Sequence, residues 1–230
     1  MSNKNQTLKL YGLSAEQINE QLKDLDVASV KTYVKEKYRD AFLYVEQKKD
    51  EQSFNSALAK IVEHFNTYIY ADKDVSLYER LYEILSLRNK SVCLMEQATG
   101  GILTSNLLAF EDSEKKVKAS YVLPSVKAMI DHFDLNPFKL TANRGLCSEI
   151  AFDIACNLRS RIIADIYIVC ISTLAEGNEL YYNNDSKIGY VAIGTQNGVK
   201  LFKLESDANK RDFSNQLAKT ICFKLINILK

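Results

Sequence analysis

The chain has 230 residues, of which 47% are hydrophobic and 26% charged, as in one large or two small globular domains. Thirty basic residues against 29 acidic ones give a formal net charge of +1, which argues against a nucleic-acid-binding protein, since such proteins usually carry a basic excess. Only 8 glycines and 2 prolines occur, so an all-β fold with many tight turns is disfavoured.

The cysteines and the apolar segments predict a cytoplasmic protein. The 5 cysteines are an odd number without a Cys-x-x-Cys pair, and only 2 histidines occur, so neither a disulfide framework nor a metal site is expected. Thiols that stay reduced are typical of a cytoplasm. No apolar run approaches the roughly 18 residues of a membrane-spanning helix, and residues 1–13 lack the apolar core of a signal peptide.

The first part of the chain is predicted to be helical, because no glycine occurs between Gly12 and Gly100. Ser14 begins a capping-box pattern, Ser-Ala-Glu-Gln, which indicates a helix over 15–25. Apolar residues at spacings of three and four predict three further helices, over 27–45, 54–69 and 77–85. Residues 1–74 are therefore expected to form a helical extension.

The apolar period becomes strand-like after residue 89. Strands are predicted over 91–95, 117–123 and 166–171, and a β-hairpin over 188–194 and 199–204, where Asn197-Gly198 is a favoured turn pair. Helices are predicted over 102–110 and 124–133, from Ser148 onward, and over 213–228. The 166–171 strand is apolar on both faces, which places it inside a sheet covered by helices. Residues 75–230 are thus predicted to be an α/β fold, a three-layer α/β/α domain with a mixed sheet.

Thr99, Gly100 and Gly101 stand between a predicted strand and a predicted helix. Glycines in such a turn let a ligand approach the backbone, and the following helix would aim N–H groups at an anion such as phosphate. A plain strand-to-helix turn is the alternative for a motif this short.

Three other places are candidates for ligand binding. Ser148 and Glu149 stand at the start of a predicted helix. Either Ser148 caps the helix and Glu149 interacts favourably with the helix dipole, or both residues bind a ligand. Ser172 ends the central strand, where open α/β sheets bind ligands, although it could simply begin a polar loop. Lys210 and Arg211 stand at the start of the last helix, where they would serve an anionic ligand, pair with Asp207 or remain solvated.

These residues, in this order, resemble the CinA C-terminal domain, the nicotinamide-nucleotide amidohydrolase family. The family's Glu-Ser-Cys-Thr-Gly-Gly is similar to residues 96–101, its Gly-x-x-Ser-Glu to 145–149, its Ala-Asp to 164–165 and its Val-Gly-x-Val-x-Ile to 188–193. Its Tyr and Lys after the second strand resemble Tyr121 and Lys127, which stand one residue further apart than usual. The resemblance covers about residues 75–230, and residues 1–74 have no counterpart in it.

Two departures from the family pattern bear on activity. Gln97 stands where the family has its proposed nucleophilic serine, and an amide cannot form an acyl-enzyme as an activated serine can. The family's glycine-containing loop after the central strand is replaced by residues 171–176, in which Glu176 would repel a phosphate. The resemblance thus implies a catalytic position occupied by Gln97, near Tyr121 and Lys127, and a ligand site that includes Glu96 with the groups described above.

Three function hypotheses follow. The first is a divergent CinA-family protein that has lost or strongly weakened amide hydrolysis and binds a nucleotide-like small molecule or acts as a scaffold. The second is an active nicotinamide mononucleotide amidohydrolase, with Thr99 or Ser172 as the nucleophile. The third is an interaction protein in which the α/β part is only a platform. No cofactor and no nucleic-acid or membrane partner are expected, and domains with this resemblance tend to be homo-oligomers.

Overall fold

The structure, a computed structural model, describes residues 4–142, 145–172, 187–206 and 208–230, and the chain divides into two compact units. Unit 1 comprises the described residues up to Arg80 together with 222–228 and 230, and unit 2 comprises the described residues of 81–221 together with Leu229. Among the described residues, no helix has both the length and the apolar character needed to cross a membrane.

Unit 1 contains an antiparallel sheet with helices on one face. Its elements are β1 (Asn5–Tyr11), α1 (Ala15–Asp24), β2 (Val30–Lys37), β3 (Asp40–Gln47), α2 (Glu51–Phe65) and β4 (Ile69–Ala71). The strand order is β2-β3-β1-β4, and every adjacent pair is antiparallel, which is the ferredoxin-like βαββαβ arrangement. Apolar residues of α1 and α2, such as Ile18 and Ile61, form one core with Leu10, Leu43 and Val45 of the sheet.

The predicted helical extension is wrong in its secondary structure, because residues 27–45 contain the hairpin β2–β3 instead of a helix. Ala41, Leu43 and Val45 are buried at every second position, which is the period of a strand. The turn is formed by Tyr38 and Arg39, both with positive φ, a geometry that usually selects Asn-Gly. The first helix is confirmed with its capping box, whereas the helix predicted over 54–69 ends at Phe65 and β4 follows.

Unit 2 has a mixed five-stranded sheet, as predicted. Its elements are α3 (Leu77–Leu87, which begins in unit 1), β5 (Val92–Glu96), α4 (Ile102–Leu108), α5 (Ser113–Lys116), β6 (Val117–Val122), α6 (Val126–Phe133), α7 (Pro137–Ala142), α8 (Ser148–Arg161), β7 (Ile166–Ser172), β8 (Lys187–Thr195), β9 (Gly198–Ser206) and α9 (Lys210–Leu229, which ends in unit 1). The strand order is β6-β5-β7-β8-β9, with β5 parallel to β6 and β7 and the remaining pairs antiparallel.

Burial confirms the predicted position of the central strand. Every residue of β7 is buried, and β7 lies between β5 and β8. Residues of α6 and α8 pack with Met95, Val169 and Ala192 on one face of the sheet. Helix α9 approaches the opposite face at Gly189, so helices cover both faces. The hairpin β8–β9 is confirmed as well, with a connection of two residues, 196 and 197, since Thr195 pairs with Gly198.

Gly189 is needed where α9 crosses β8. A Cβ atom at Gly189 would stand 2.8 Å from Cδ2 of Leu217 and 3.2 Å from Cζ of Phe213, two side chains that are fully buried. We expect Gly189→Ala to lower the free energy of unfolding by about 1–3 kcal/mol, because overpacking a filled core forces side chains to shift. Thermal unfolding followed by circular dichroism measures it. Gly194→Ala on the same strand is the matched control, since its nearest contact is 3.5 Å, and an equal loss in both variants would contradict the explanation.

Candidate active site

The carboxylate of Glu96 lies at the carboxyl end of β5 and is fully buried. Its Oε2 accepts hydrogen bonds from the Thr99 hydroxyl (2.5 Å) and from the Leu103 N–H (3.0 Å). Its Oε1 accepts from the Thr104 N–H (2.7 Å) and from the Thr104 hydroxyl (2.5 Å). Four donors therefore surround one internal anion, which is what a buried carboxylate requires.

Glu96 caps the start of α4 from outside the helix. The helix has no side-chain cap of its own, because its N-cap residue is Gly101 in the left-handed region (φ +91°). The predicted strand-to-helix turn at 99–101 is confirmed. The expectation that the first N–H groups of α4 point at a ligand phosphate is wrong for Leu103 and Thr104, since both donate to Glu96, and the Ile102 N–H donates to the Thr99 carbonyl (3.2 Å).

The side chain of Gln97 is hydrogen bonded to the end of the central strand. Its Oε1 accepts from the Ser172 N–H at 2.7 Å and lies 3.4 Å from the Ser172 hydroxyl. The backbone N–H groups of Gln97 and Ala98 both donate to the Cys170 carbonyl, at 2.9 and 3.2 Å. Gln97 thus continues the hydrogen-bonding pattern of β7 past the end of β5.

The hydroxyl and thiol groups around this turn are buried. Thr99 and Ser172 are each only 1% exposed, and the Thr99 Oγ1 that donates to Glu96 is also 3.0 Å from Sγ of Cys170. Burial, reinforced by the Glu96 carboxylate, raises the pKa of the Cys170 thiol to about 12. Cys170 is therefore a neutral thiol near pH 7, not a thiolate nucleophile.

Neither Tyr121 nor Lys127 belongs to the hydrogen bonds of the Glu96 carboxylate described above, although Tyr121 pairs with Met95, the residue before Glu96. Tyr121 is on β6, and its ring centroid is 4.8 Å from that of His132 on α6. The Lys127 side chain is 84% exposed, with its ammonium 3.6 Å from the Asp131 carboxylate one helical turn on. Within the described residues, no hydrogen bond or ion pair joins Lys127 to Gln97.

The remaining predicted ligand-binding residues stand at two helix starts. Ser148 is the first residue of α8, preceded by Cys147 as the N-cap, and Glu149 is exposed in the first turn. Lys210 and Arg211 are the first two residues of α9 and are exposed. Glu176 and Asp207 lie outside the described residues.

A family comparison adds a decisive observation: the sequence profile of the "CinA C-terminal domain" matches residues 74–229. The chain belongs to the CinA C-terminal domain family. This match supports the resemblance drawn from the motifs at 96–101, 145–149 and 188–193.

Two curated relatives show how far the CinA similarity reaches. A "CinA-like protein" of Prochlorococcus marinus (strain AS9601) is 24% identical over 172 residues, which cover 74% of this chain and 40% of the relative. A "CinA-like protein" of Prochlorococcus marinus subsp. pastoris is 23% identical over 234 residues, covering 97% of this chain and 53% of the relative. The chain thus spans about two fifths to a half of the length of these relatives, and the second similarity extends into residues before 74.

Solved CinA-superfamily structures share the fold of this chain. The "competence-damaged protein (CinA) superfamily protein from Enterobacter cloacae" superposes with a TM-score of 0.59 at 19% identity, covering 70% of this chain and 96% of that chain. The corresponding protein from Klebsiella pneumoniae 700603 gives a TM-score of 0.58 at 18% identity, covering 66% and 95%. At these identities the likeness supports the α/β fold alone.

Three hydroxyl residues around the candidate site, Thr104, Ser120 and Ser214, were not predicted from the sequence. Thr104 donates to Glu96 and also contacts the Ser120 hydroxyl on β6. Ser214 on α9 donates to the Ala98 carbonyl at 2.7 Å and so connects the last helix to the turn. An isolated serine or threonine gives no sequence signal of such a role. A threonine in the first turn of a helix that follows a glutamate at a strand end is a pattern that could have indicated Thr104.

The Ala-Asp motif of the CinA family has a structural role here. Asp165 precedes β7, and its Oδ1 accepts from the Lys90 ammonium at 2.9 Å. Its Oδ2 accepts from the Ser91 N–H (2.9 Å) and hydroxyl (2.8 Å), which ties the start of β7 to the start of β5. Burial alone would raise the pKa of Asp165, but the hydrogen bonds from Lys90 and Ser91 outweigh it and lower that pKa.

We expect Asp165→Asn to lower the free energy of unfolding by about 1–2 kcal/mol at pH 7, because the hydrogen bonds to a charged acceptor are lost. A carboxylate with a depressed folded-state pKa stabilises fully above its unfolded pKa of about 4 and loses this effect as the pH falls through the folded value. The difference between wild type and variant should therefore close on acidification. Urea unfolding at pH 7 and pH 3 measures it, and a gap of equal size at both values would contradict this role.

Proposed function

We propose that this chain is a divergent CinA-family domain that has lost amide hydrolysis. The observation that carries the proposal is the side chain of Gln97, which occupies the position that the family resemblance gives to the nucleophilic serine and accepts a hydrogen bond from the Ser172 N–H. A glutamine amide cannot attack a carbonyl and form an acyl-enzyme.

The surrounding groups support the loss of hydrolysis over the alternative of an active amidohydrolase. That alternative needs Thr99 or Ser172 as the nucleophile, yet both are buried, and the Thr99 hydroxyl donates to Glu96. Acyl transfer also requires the hydroxyl, a base and an oxyanion site to converge on one point. Lys127, the basic group implied by the resemblance, is exposed and paired with Asp131.

We also propose that an anionic, nucleotide-like small molecule binds beside the turn at 99–101. Ser214 contacts Ala98, and Lys210 and Arg211 precede Ser214 by four and three residues, which is the spacing of neighbours on one helix face. Both basic side chains are exposed. Their positive charges favour a phosphate-bearing ligand at this end of α9. The N–H groups of Leu103 and Thr104 do not contribute to phosphate binding, because both donate to Glu96.

Ammonia release from nicotinamide mononucleotide tests the loss of hydrolysis. We expect no release above the buffer blank from the wild-type chain, with an active CinA-family amidohydrolase as the positive control. Titration calorimetry with the same nucleotide measures binding separately, and Lys210→Ala with Arg211→Ala should weaken it. Steady turnover by the wild type would overturn the loss of hydrolysis and favour the enzyme. Light scattering tests the expected homo-oligomer.

A further inference from the structure

The sheet of unit 1 has one face that α1 and α2 do not cover. The core of these helices takes alternate residues of the strands, such as Leu10 and Leu43. The residues between them lie on the opposite face. On this face Tyr11 of β1 is buried, with its ring 5.2 Å from that of Phe223 on α9, whereas the alternate residues of β2 are exposed. We call the part formed by β2 and β3 the open face.

Phe42 of β3 pairs with Lys35 of β2 on one side and with Lys9 of β1 on the other. The Lys9 side chain is only 13% exposed, and its ammonium lies 3.7 Å from the Asp40 carboxylate and 5.8 Å from the centre of the Phe42 ring, so Lys9 marks the inner boundary of the open face.

Three aromatic side chains, which we call the aromatic strip, are neighbours on the open face. Tyr33 of β2 is directly opposite Tyr44 of β3. The rings of Phe42 and Tyr44 are parallel, with centroids 6.4 Å apart and an interplanar angle of 4°, and both residues are half-buried. Tyr33 is 51% exposed, so its ring is accessible from solvent.

Lysines border the aromatic strip along β2. Lys31, Lys35 and Lys37 are exposed at alternate positions on either side of Tyr33, and the Lys35 ammonium lies 5.4 Å from the centre of the Tyr33 ring. In the part of the chain that the structure describes, neither Lys31 nor Lys35 is in an ion pair. Two acidic residues stand opposite this lysine row: Glu46 is opposite Lys31, and Asp40, which also pairs with Lys9, is opposite Lys37.

We propose that this open face binds single-stranded nucleic acid, with bases stacked on Tyr33, Phe42 and Tyr44 and phosphates contacted by Lys31 and Lys35. Aromatic side chains with flanking cations are the chemistry that holds unpaired bases, and a four-stranded sheet is a known platform for it. A second copy of the chain fits less well, because lysine is depleted from protein interfaces and two lysine rows would face each other. The net charge of +1 averages over the chain and conceals this local basic row.

Fluorescence anisotropy with the full chain tests the proposal. The probes are labelled 12-nucleotide strands of mixed sequence, one RNA and one DNA, and a DNA duplex of the same sequence, at 50 mM salt. We expect single strands to bind more tightly than the duplex. Tyr33→Ala should weaken binding about tenfold, and Lys31→Glu with Lys35→Glu at least tenfold with a smaller salt dependence. Tyr33→Phe keeps the ring and should stay within about twofold of wild type.

Two matched controls separate this face from general effects. Lys23 is exposed on α1, which packs on the other face of the sheet, and Phe138 is 83% exposed in unit 2. Lys23→Glu and Phe138→Ala should leave binding within about twofold. The proposal is overturned by no single-strand binding at about 100 µM protein, by equal duplex binding, or by an equal loss in the controls. It is also overturned if light scattering shows a dimer that Tyr33→Ala dissociates while no strand binds.

Discussion

Glu96→Ala should lower the free energy of unfolding by about 3–5 kcal/mol. The substitution leaves the buried N–H of Leu103 and the part-buried N–H of Thr104 without an acceptor, and an unsatisfied buried donor costs about 1–3 kcal/mol. The Thr99 and Thr104 hydroxyls lose less, because Sγ of Cys170 and Oγ of Ser120 already lie within contact of them. Loss of the carboxylate also removes a negative charge from the amino end of α4.

Urea unfolding followed by circular dichroism measures this effect. Glu149→Ala is the matched control, because Glu149 is a glutamate in the first turn of α8 but is exposed, and its loss should stay below about 1 kcal/mol. Glu96→Gln keeps one acceptor oxygen and places an amide group against two donors, so its loss should lie between the two. A loss below about 1 kcal/mol for Glu96→Ala would show that the amino end of α4 is satisfied without the carboxylate.

The two inner strands β5 and β7 of unit 2 were predictable because they are buried. All residues of β5 and β7 are buried, and both read as apolar runs up to the polar residues Glu96 and Ser172 at their ends. In unit 1 the valines at 27, 30 and 34 fit a helical spacing, while Ala41, Leu43 and Val45 fit a strand. The turn at Tyr38-Arg39 has no glycine to separate the two segments, and the sequence pattern therefore indicates one continuous helix.

The site was predictable only at its turn. The order of motifs indicated where the turn at 99–101 falls, and the structure confirms it. The interaction that closes the site could not be predicted, because the partners of Glu96 include two backbone N–H groups, which leave no trace in the sequence. The position of Lys127 could not be predicted from the motif either. One additional residue between Tyr121 and Lys127 rotates the lysine side chain by about 100° around the helix axis, and a comparison of motifs does not account for that rotation.

Gln97→Ser is expected to restore no ammonia release from nicotinamide mononucleotide. The serine hydroxyl would be too short to accept from the Ser172 N–H as Gln97 Oε1 does, and no base stands ready for it, since the Lys127 ammonium is paired with Asp131 at the surface. A serine becomes a nucleophile only when an adjacent base takes its proton. The acceleration left in a hydrolase without its nucleophile is roughly 10³–10⁴-fold over water, far below metabolic rates.

Gln97→Ala is the control that isolates the chemistry. Both variants lose the hydrogen bond from Ser172, so the free energy of unfolding should fall by roughly 1 kcal/mol in each. The two variants should therefore unfold at about the same temperature. Ammonia release should then be equal in the two variants and equal to the wild type. Release from Gln97→Ser alone would mean that only the hydroxyl is missing, and that a base and an oxyanion site remain assembled around residue 97. In that case the buried side chains of Glu96, Thr99 and Ser172 would have to become accessible to the substrate during turnover.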